Sequence, residues 1–288
     1  MSEATAPPPA PAPLLAGIDF TSRPSRRKPI TVAHGRLVKC DAKGKVQGEV
    51  HIERIDEHID FDSFARWLQN PGPWLAAFDF PFGLPRELVE SLGWPLQWPA
   101  LMRHYAQMSR AEVRNTFAAF CAARPAGGKF AHRATDGPAG SSPSMKWVNP
   151  PVAYMLHAGV PLLMDAGVDL PGLHAGDPAR IALEGYPGLL AREVLGGRSY
   201  KSDAPARQTV ERQTARRDLV DALRAGRTRL GLRLCTTEAQ RDMLIADASA
   251  DRLDAVLCLM QAAWASTRAR YGLPENVDPI EGWIVSAG

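Results

Sequence analysis

Two stretches of the chain nearly repeat one another, Leu14-Leu15-Ala16-Gly17-Ile18-Asp19-Phe20 and Trp74-Leu75-Ala76-Ala77-Phe78-Asp79-Phe80. Each is an apolar run of strand length with one carboxylate near its end. Aspartate is depleted in strands, and an unpaired buried carboxylate is strongly disfavoured or takes up a proton. A divalent cation held between Asp19 and Asp79 would offset both charges. Mg²⁺ or Mn²⁺ takes oxygen ligands, and Mg²⁺ keeps several waters and needs few protein carboxylates. Such an ion can activate water and stabilise a leaving oxygen, which is what phosphodiester hydrolysis requires. The alternatives are structural. Asp19 can be a strand-end acid satisfied by Thr21 and Ser22, and Asp79 an Asx-turn residue ahead of Pro81.

Other residues extend this chemistry. Glu184 is a third in-strand acid, read as a ligand or substrate contact or as half of a buried salt bridge. Asp251 and Asp254 open a helix, where acids are favoured by capping and the dipole; Asp251 reads as the cap and Asp254 as the ligand. Arg133 offers a bidentate fork for a phosphate, or a loop salt bridge with Asp136. Lys201, after Gly196-Gly197-Arg198, is a second phosphate contact. Arg23 leads the run Arg23, Arg26, Arg27, Lys28, which is either a solvated hairpin end or a polyanion contact. Arg212, Arg216, Arg217 and Arg224 read as a solvated helix face, and Trp94, Trp98 and Trp147 as anchors for a long insertion rather than base-stacking platforms.

The elements that must position these groups follow from periodicity. Residues 14–22, 29–39 and 46–55 read as strands, the last two joined in a hairpin by Asp41-Ala42-Lys43-Gly44. A helix over 61–69 ends at Asn70-Pro71-Gly72-Pro73, and the Asp79 strand follows, so a helical crossover favours parallel pairing with an earlier strand. A short helix over 86–92 precedes a Pro-, Gly-, Ser- and base-rich insertion over about 94–150, with one helix at 109–123 and a flexible loop from Pro125 to Trp147. Helices are expected at 150–166, 206–225, 236–246 and 251–270, a fifth strand at 180–187, and an edge strand at Glu281-Gly282-Trp283-Ile284-Val285.

With 288 residues, 45% hydrophobic and 23% charged, the chain has ordinary globular composition, and a net charge of +3 excludes a histone-like polyanion binder. No apolar run approaches the roughly 20 residues of a membrane helix. Residues 1–13 read as a disordered Pro/Ala tail with no leader character, so a cytoplasmic location is expected. The four cysteines and seven histidines show no zinc-ligand spacing.

The element order resembles the α/β ribonuclease H-like fold, a mixed sheet of about five strands flanked by helices. The motifs are closer to one branch. Gly17-Ile18-Asp19, Asp79-Phe80-Pro81-Phe82-Gly83-Leu84-Pro85, Arg133-x-x-Asp136, Glu184-x-Tyr186-Pro187, Asp251-x-x-Asp254-Ala255 and Glu281-Gly282-Trp283-Ile284 resemble the domain-of-unknown-function 429 family of predicted nucleases. The likeness runs over residues 14–288 as one domain. It implies two Mg²⁺ (or Mn²⁺) ions held by Asp19, Asp79 and Asp254, with Asp19 bridging and Glu184 or Asp251 completing the second ion. The substrate would be nucleic acid or a small phosphodiester. A non-catalytic binding module on the same fold is the alternative. An actin-like kinase ranks third, because Phe20 stands where a phosphate loop needs glycine and Pro81 and Pro85 remove backbone donors.

Overall fold

A computed structural model describes residues 13–40 and 46–288. The expected tail, apart from Pro13, and the expected turn at Asp41-Ala42-Lys43-Gly44 lie outside those residues. The first strands are β1 (Leu14–Asp19), β2 (Ile30–Lys39) and β3 (Gly48–His58), followed by helix α1 (Phe61–Leu68) and β4 (Trp74–Phe78). Helices α2 (Arg86–Ser91), α3 (Trp98–Gln107), α4 (Arg110–Ala122), α5 (Asp136–Ala139) and α6 (Val152–Ala166) come next. Then follow β5 (Val168–Asp169), β6 (Asp177–Glu184), α7 (Pro187–Leu195), α8 (Val210–Arg224), β7 (Leu232–Cys235), α9 (Glu238–Ala246) and α10 (Asp251–Ala265).

The seven strands form one mixed sheet in the order β5-β6-β4-β1-β2-β3-β7. The sheet is therefore wider than the five strands expected. Strands β5 and β7 are two and four residues long, too short for alternation to show in sequence. The expected edge strand near the C-terminus is reduced to one parallel bridge, Glu184 to Ile284. As expected, β1 pairs in parallel with β4 and β2 pairs antiparallel with β3.

Each face of the sheet buries its own core. Leu15, Ala33, Val50, Leu75 and Leu183 face α7, α8, α9 and α10, while Ala16, Ile18, Val32, Phe78 and Ala182 face α1, α2, α3, α4 and α6. Helix α10 is buried all round from Leu253 to Ala263 and apolar there except at Asp254 and Gln261. It lies directly on β1, since a Cβ on Gly17 would stand 1.9 Å from the Leu259 nitrogen and 2.1 Å from the Ala255 oxygen. Only glycine permits that approach, and it brings the first turn of α10 over the end of β1.

The insertion is more ordered in its packing than the sequence suggests. Its Pro-rich start contains α3, whose Pro99 sits in the first turn where proline is tolerated. The stretch expected as a flexible surface loop buries Ala131, Arg133, Thr135, Asp136, Ser144 and Met145. Trp98 is an anchor, donating from Nε1 to the Phe82 carbonyl at 2.7 Å, and Trp147 packs on Phe130. The helix face expected to be solvated is not wholly so. Arg216 is buried and donates to the carbonyls of Ile245 and Tyr200 at 2.7 and 2.8 Å.

Candidate metal centre

Register brings the first two acids together. Ile18 pairs with Phe78 across the parallel β1–β4 ladder, and the Asp79 N–H donates to the Ile18 carbonyl at 2.9 Å. Asp19 and Asp79 are thus the next residues on neighbouring strands and share the α10 face. Asp254, in the first turn of α10, completes the group: one carboxylate oxygen from each of the three lies within 4.8 Å of the others. Asp19 and Asp254 are buried and Asp79 is partly exposed.

The three carboxylates are not equally satisfied. Asp254 accepts from the Tyr200 hydroxyl at 2.6 Å on one oxygen and from the Lys201 ammonium on the other. Asp19 Oδ2 is buried with no hydrogen-bond partner among the described residues. Burial, then the Asp254 and Asp251 carboxylates, hold the Asp19 carboxyl well above its usual range, with Lys201 pulling the other way. Burial raises Asp79 to about 7 despite Lys201. Burial opposes the charge on Lys201, but Asp254 outweighs it and raises that ammonium's pKa. Against three carboxylates stand the Lys201 ammonium and the more distant charge of Lys28, itself paired with Asp251. An all-oxygen set with one orphaned buried oxygen fits a hard divalent cation such as Mg²⁺ or Mn²⁺.

The other expected ligands do not join this group. Glu184 is in register with Phe78 and so with Ile18, one position short of the acids, which turns it to the opposite face of the sheet. There it accepts from Arg133 at 2.7 and 2.8 Å and from the Phe82 N–H at 3.0 Å. Burial raises the Glu184 carboxyl, and the Arg133 guanidinium opposes that shift. Asp251 is not the cap of α10, a position taken by Ala250 at φ 60°. Its carboxylate pairs instead with Lys28 at 2.5 Å.

The expected phosphate contacts are redistributed as well. Arg133 is buried and saturated by Asp136, Glu184 and the Glu281 carbonyl, so its fork is closed to a phosphate. Lys201 does stand at the acids. Arg23 is exposed and makes none of the hydrogen bonds of the acid group, whereas Lys28, from the same basic run, reaches Asp251. Sequence reasoning gave no role to Tyr200, the second partner of Asp254, although it adjoins Lys201. Several of the sequence motifs meet in one buried network. Phe82 and Arg133 bond Glu184, Glu281 accepts from the Arg86 and Ala134 N–H groups, and Ile284 donates to Thr135 Oγ1. A Cβ on Gly83 would meet the Ile280 oxygen at 2.1 Å, which explains that glycine.

Beside the acids lies a cleft of about 310 Å³, rimmed by Asp79 and Lys201. No known family model, curated protein or solved structure matches this chain. The chemistry of the site therefore rests on its own residues. Elsewhere, Glu49, His51 and Cys235 place ligand atoms within 4.8 Å of one another across β3 and β7. The strand pairing His51 to Cys235 makes that group, which sequence spacing does not reveal. Among the described residues no helix is long and apolar enough to cross a membrane.

Proposed function

We propose that the chain is a divalent-metal-dependent phosphodiester hydrolase of the ribonuclease H-like type, related to the domain-of-unknown-function 429 family. The observation that carries this reading is the convergence of Asp19, Asp79 and Asp254 within 4.8 Å, with Asp19 Oδ2 buried and, among the described residues, unpartnered. The parallel β1–β4 pair at the centre of the sheet, covered by α10, supports the fold assignment. The acids sit at the carboxyl ends of these strands, where open α/β sheets bind ligands.

Asp19, Asp79 and Asp254 would hold one Mg²⁺ or Mn²⁺ ion. When bound, it would supply charge stabilisation at the phosphoryl group and lower the pKa of water. Glu184 and Asp251 are engaged by Arg133 and Lys28, which favours a single ion over the two implied by the resemblance. The chain's own groups do the rest. The Tyr200 hydroxyl fixes the Asp254 carboxylate. The Lys201 ammonium, on the cleft rim, binds a phosphate oxygen and offsets its charge. The substrate class is nucleic acid or a small phosphodiester.

A non-catalytic binding module is the second reading, favoured by the cations that already pair with Asp254, Asp251 and Glu184. The kinase reading is weaker, since Phe20 is buried against Phe61, Phe64 and Phe80 where a phosphate loop needs open backbone. Calorimetric titration of Mg²⁺ and Mn²⁺ into the wild type and the Asp19→Asn, Asp79→Asn and Asp254→Asn variants, alongside cleavage of mixed RNA and DNA, separates these. Metal binding and cleavage lost together in all three variants supports the hydrolase. Metal binding without cleavage favours the module, and no metal binding by the wild type refutes a metal-dependent hydrolase.

A further inference from the structure

The cleft beside Asp79 differs in character from the acid cluster. Its walls are Phe80, Tyr186, Tyr200, Pro150, Met155 and Ile284, predominantly apolar and aromatic. Its charged lining is spoken for: Arg133 and Glu184 neutralise one another, and Lys201 and Asp79 stand at the edge shared with the acids. At about 310 Å³ it lies at the small end of small-molecule sites, which run from roughly 300 to 1,000 Å³. That is room for one aromatic ring and its sugar, not for a stacked duplex.

Resting on the hydrolase reading above, we infer that this cleft receives one unstacked nucleobase of the substrate, placing the attached phosphate at Asp79 and Lys201. The enzyme would accordingly act on a strand end, a single strand or a small nucleotide ester rather than within a duplex. Three observations converge. The cleft is continuous with the acid site through Asp79. Phe80 and Tyr200 are buried, whereas Tyr186 is half-buried and offers a fixed stacking face. A Cβ on Gly188 would meet the Tyr186 Cζ at 2.5 Å, so the ring rests on the bare first turn of α7. The Arg192 guanidinium lies 5.9 Å from the ring centroid and donates to the Tyr186 hydroxyl at 3.2 Å, holding the platform in place. Finally, the insertion closes one side of the cleft with Ser141, Ser142 and Pro150, which obstructs a double helix.

The test is calorimetric titration of adenosine 5′-monophosphate and ribose 5-phosphate into the full chain with Mg²⁺ present. The two probes share sugar and phosphate and differ by the base. Stacking predicts that the nucleotide binds about tenfold tighter or more. Tyr186→Ala should erase that preference, Tyr186→Phe should keep it, and Gly188→Ala should weaken it by displacing the ring. Equal affinities for the two probes, or a preference untouched by Tyr186→Ala, overturn the assignment. A Mg²⁺ titration without nucleotide separates this from the parent reading. Mg²⁺ bound with no base preference overturns the cleft and leaves the metal centre standing. A Tyr186-dependent preference without Mg²⁺ binding supports the cleft and overturns the metal centre.

Discussion

The Lys201 ammonium rests on the carboxylate of Asp254 while Tyr200 holds the other oxygen of the same group. The chain thus carries a cation of its own at the place where a metal would bind. That ammonium and an incoming divalent ion compete for the same negative charge. Lys201→Gln should raise Mg²⁺ affinity by about tenfold, the scale of one charge-assisted hydrogen bond, while lowering any cleavage rate. Titration calorimetry on the variant checks this, and an unchanged or weaker Mg²⁺ affinity would show that Lys201 does not oppose the ion.

Asp79 makes the stability of the metal-free protein depend on pH. Its carboxyl titrates at about 7 when folded, against 3.8 as the ordinary value. Between those values the folded state holds more protons than the unfolded one. The stability that protonated Asp79 contributes is full below the ordinary value and is lost as pH rises through about 7. Without metal, Asp79→Asn should flatten the decline in melting temperature between those two pH values and leave the variant the more stable protein at pH 8. An identical pH slope in the two proteins would sink this account.

Arg133 supports the fold rather than the substrate. It is enclosed with Asp136 and Glu184, and removing one partner of such a buried group leaves uncompensated charge. Arg133→Met should destabilise by about 3–5 kcal/mol in urea unfolding. Arg133→Lys should recover little, since an ammonium cannot reproduce the forked contacts to two carboxylates. A phosphate clamp would behave oppositely, with stability intact and substrate affinity lost.

Gly17→Ala tests the seating of α10 on β1. The added methyl would meet backbone atoms of Ala255 and Leu259, which no side-chain rotation relieves. Overpacking of a core side chain destabilises by roughly 1–3 kcal/mol, and a backbone clash should reach or exceed the top of that range. Because the shift separates Asp254 from Asp19, Mg²⁺ affinity should fall even in whatever fraction remains folded. Chemical denaturation and Mg²⁺ titration on the same preparation measure both effects.

Much of this arrangement was legible in the residues. The apolar runs ending in Asp19 and Asp79 revealed a parallel pair because their hydrophobic pattern and the helical crossover leave little choice. The sequence left Glu184 open between a ligand and half of a buried salt bridge, and sequence cannot decide between them. This residue too closes an apolar stretch, Ile181-Ala182-Leu183, but its face depends on a register offset of one residue against β4. Arg133 and Arg216 looked like exposed cations because composition marks charge and not the carbonyls or carboxylates that will enclose it. Helices α3 and α7 were lost behind Trp98-Pro99 and Pro187, where a proline inside the first turn reads as a loop signal.

The pairing of Ile18 with Phe78 also constrains how this sequence can change. Strand residues advance about 3.3 Å each and alternate faces. One residue gained or lost within either apolar run would carry its aspartate to the far side of the sheet, among the side chains around Phe78. Apart from Gly17, which the backbone of α10 holds to glycine, positions in the two runs tolerate substitution while they remain apolar and of similar size. They do not tolerate insertions and deletions, so any descendant that keeps the acids must inherit the two strand lengths unchanged.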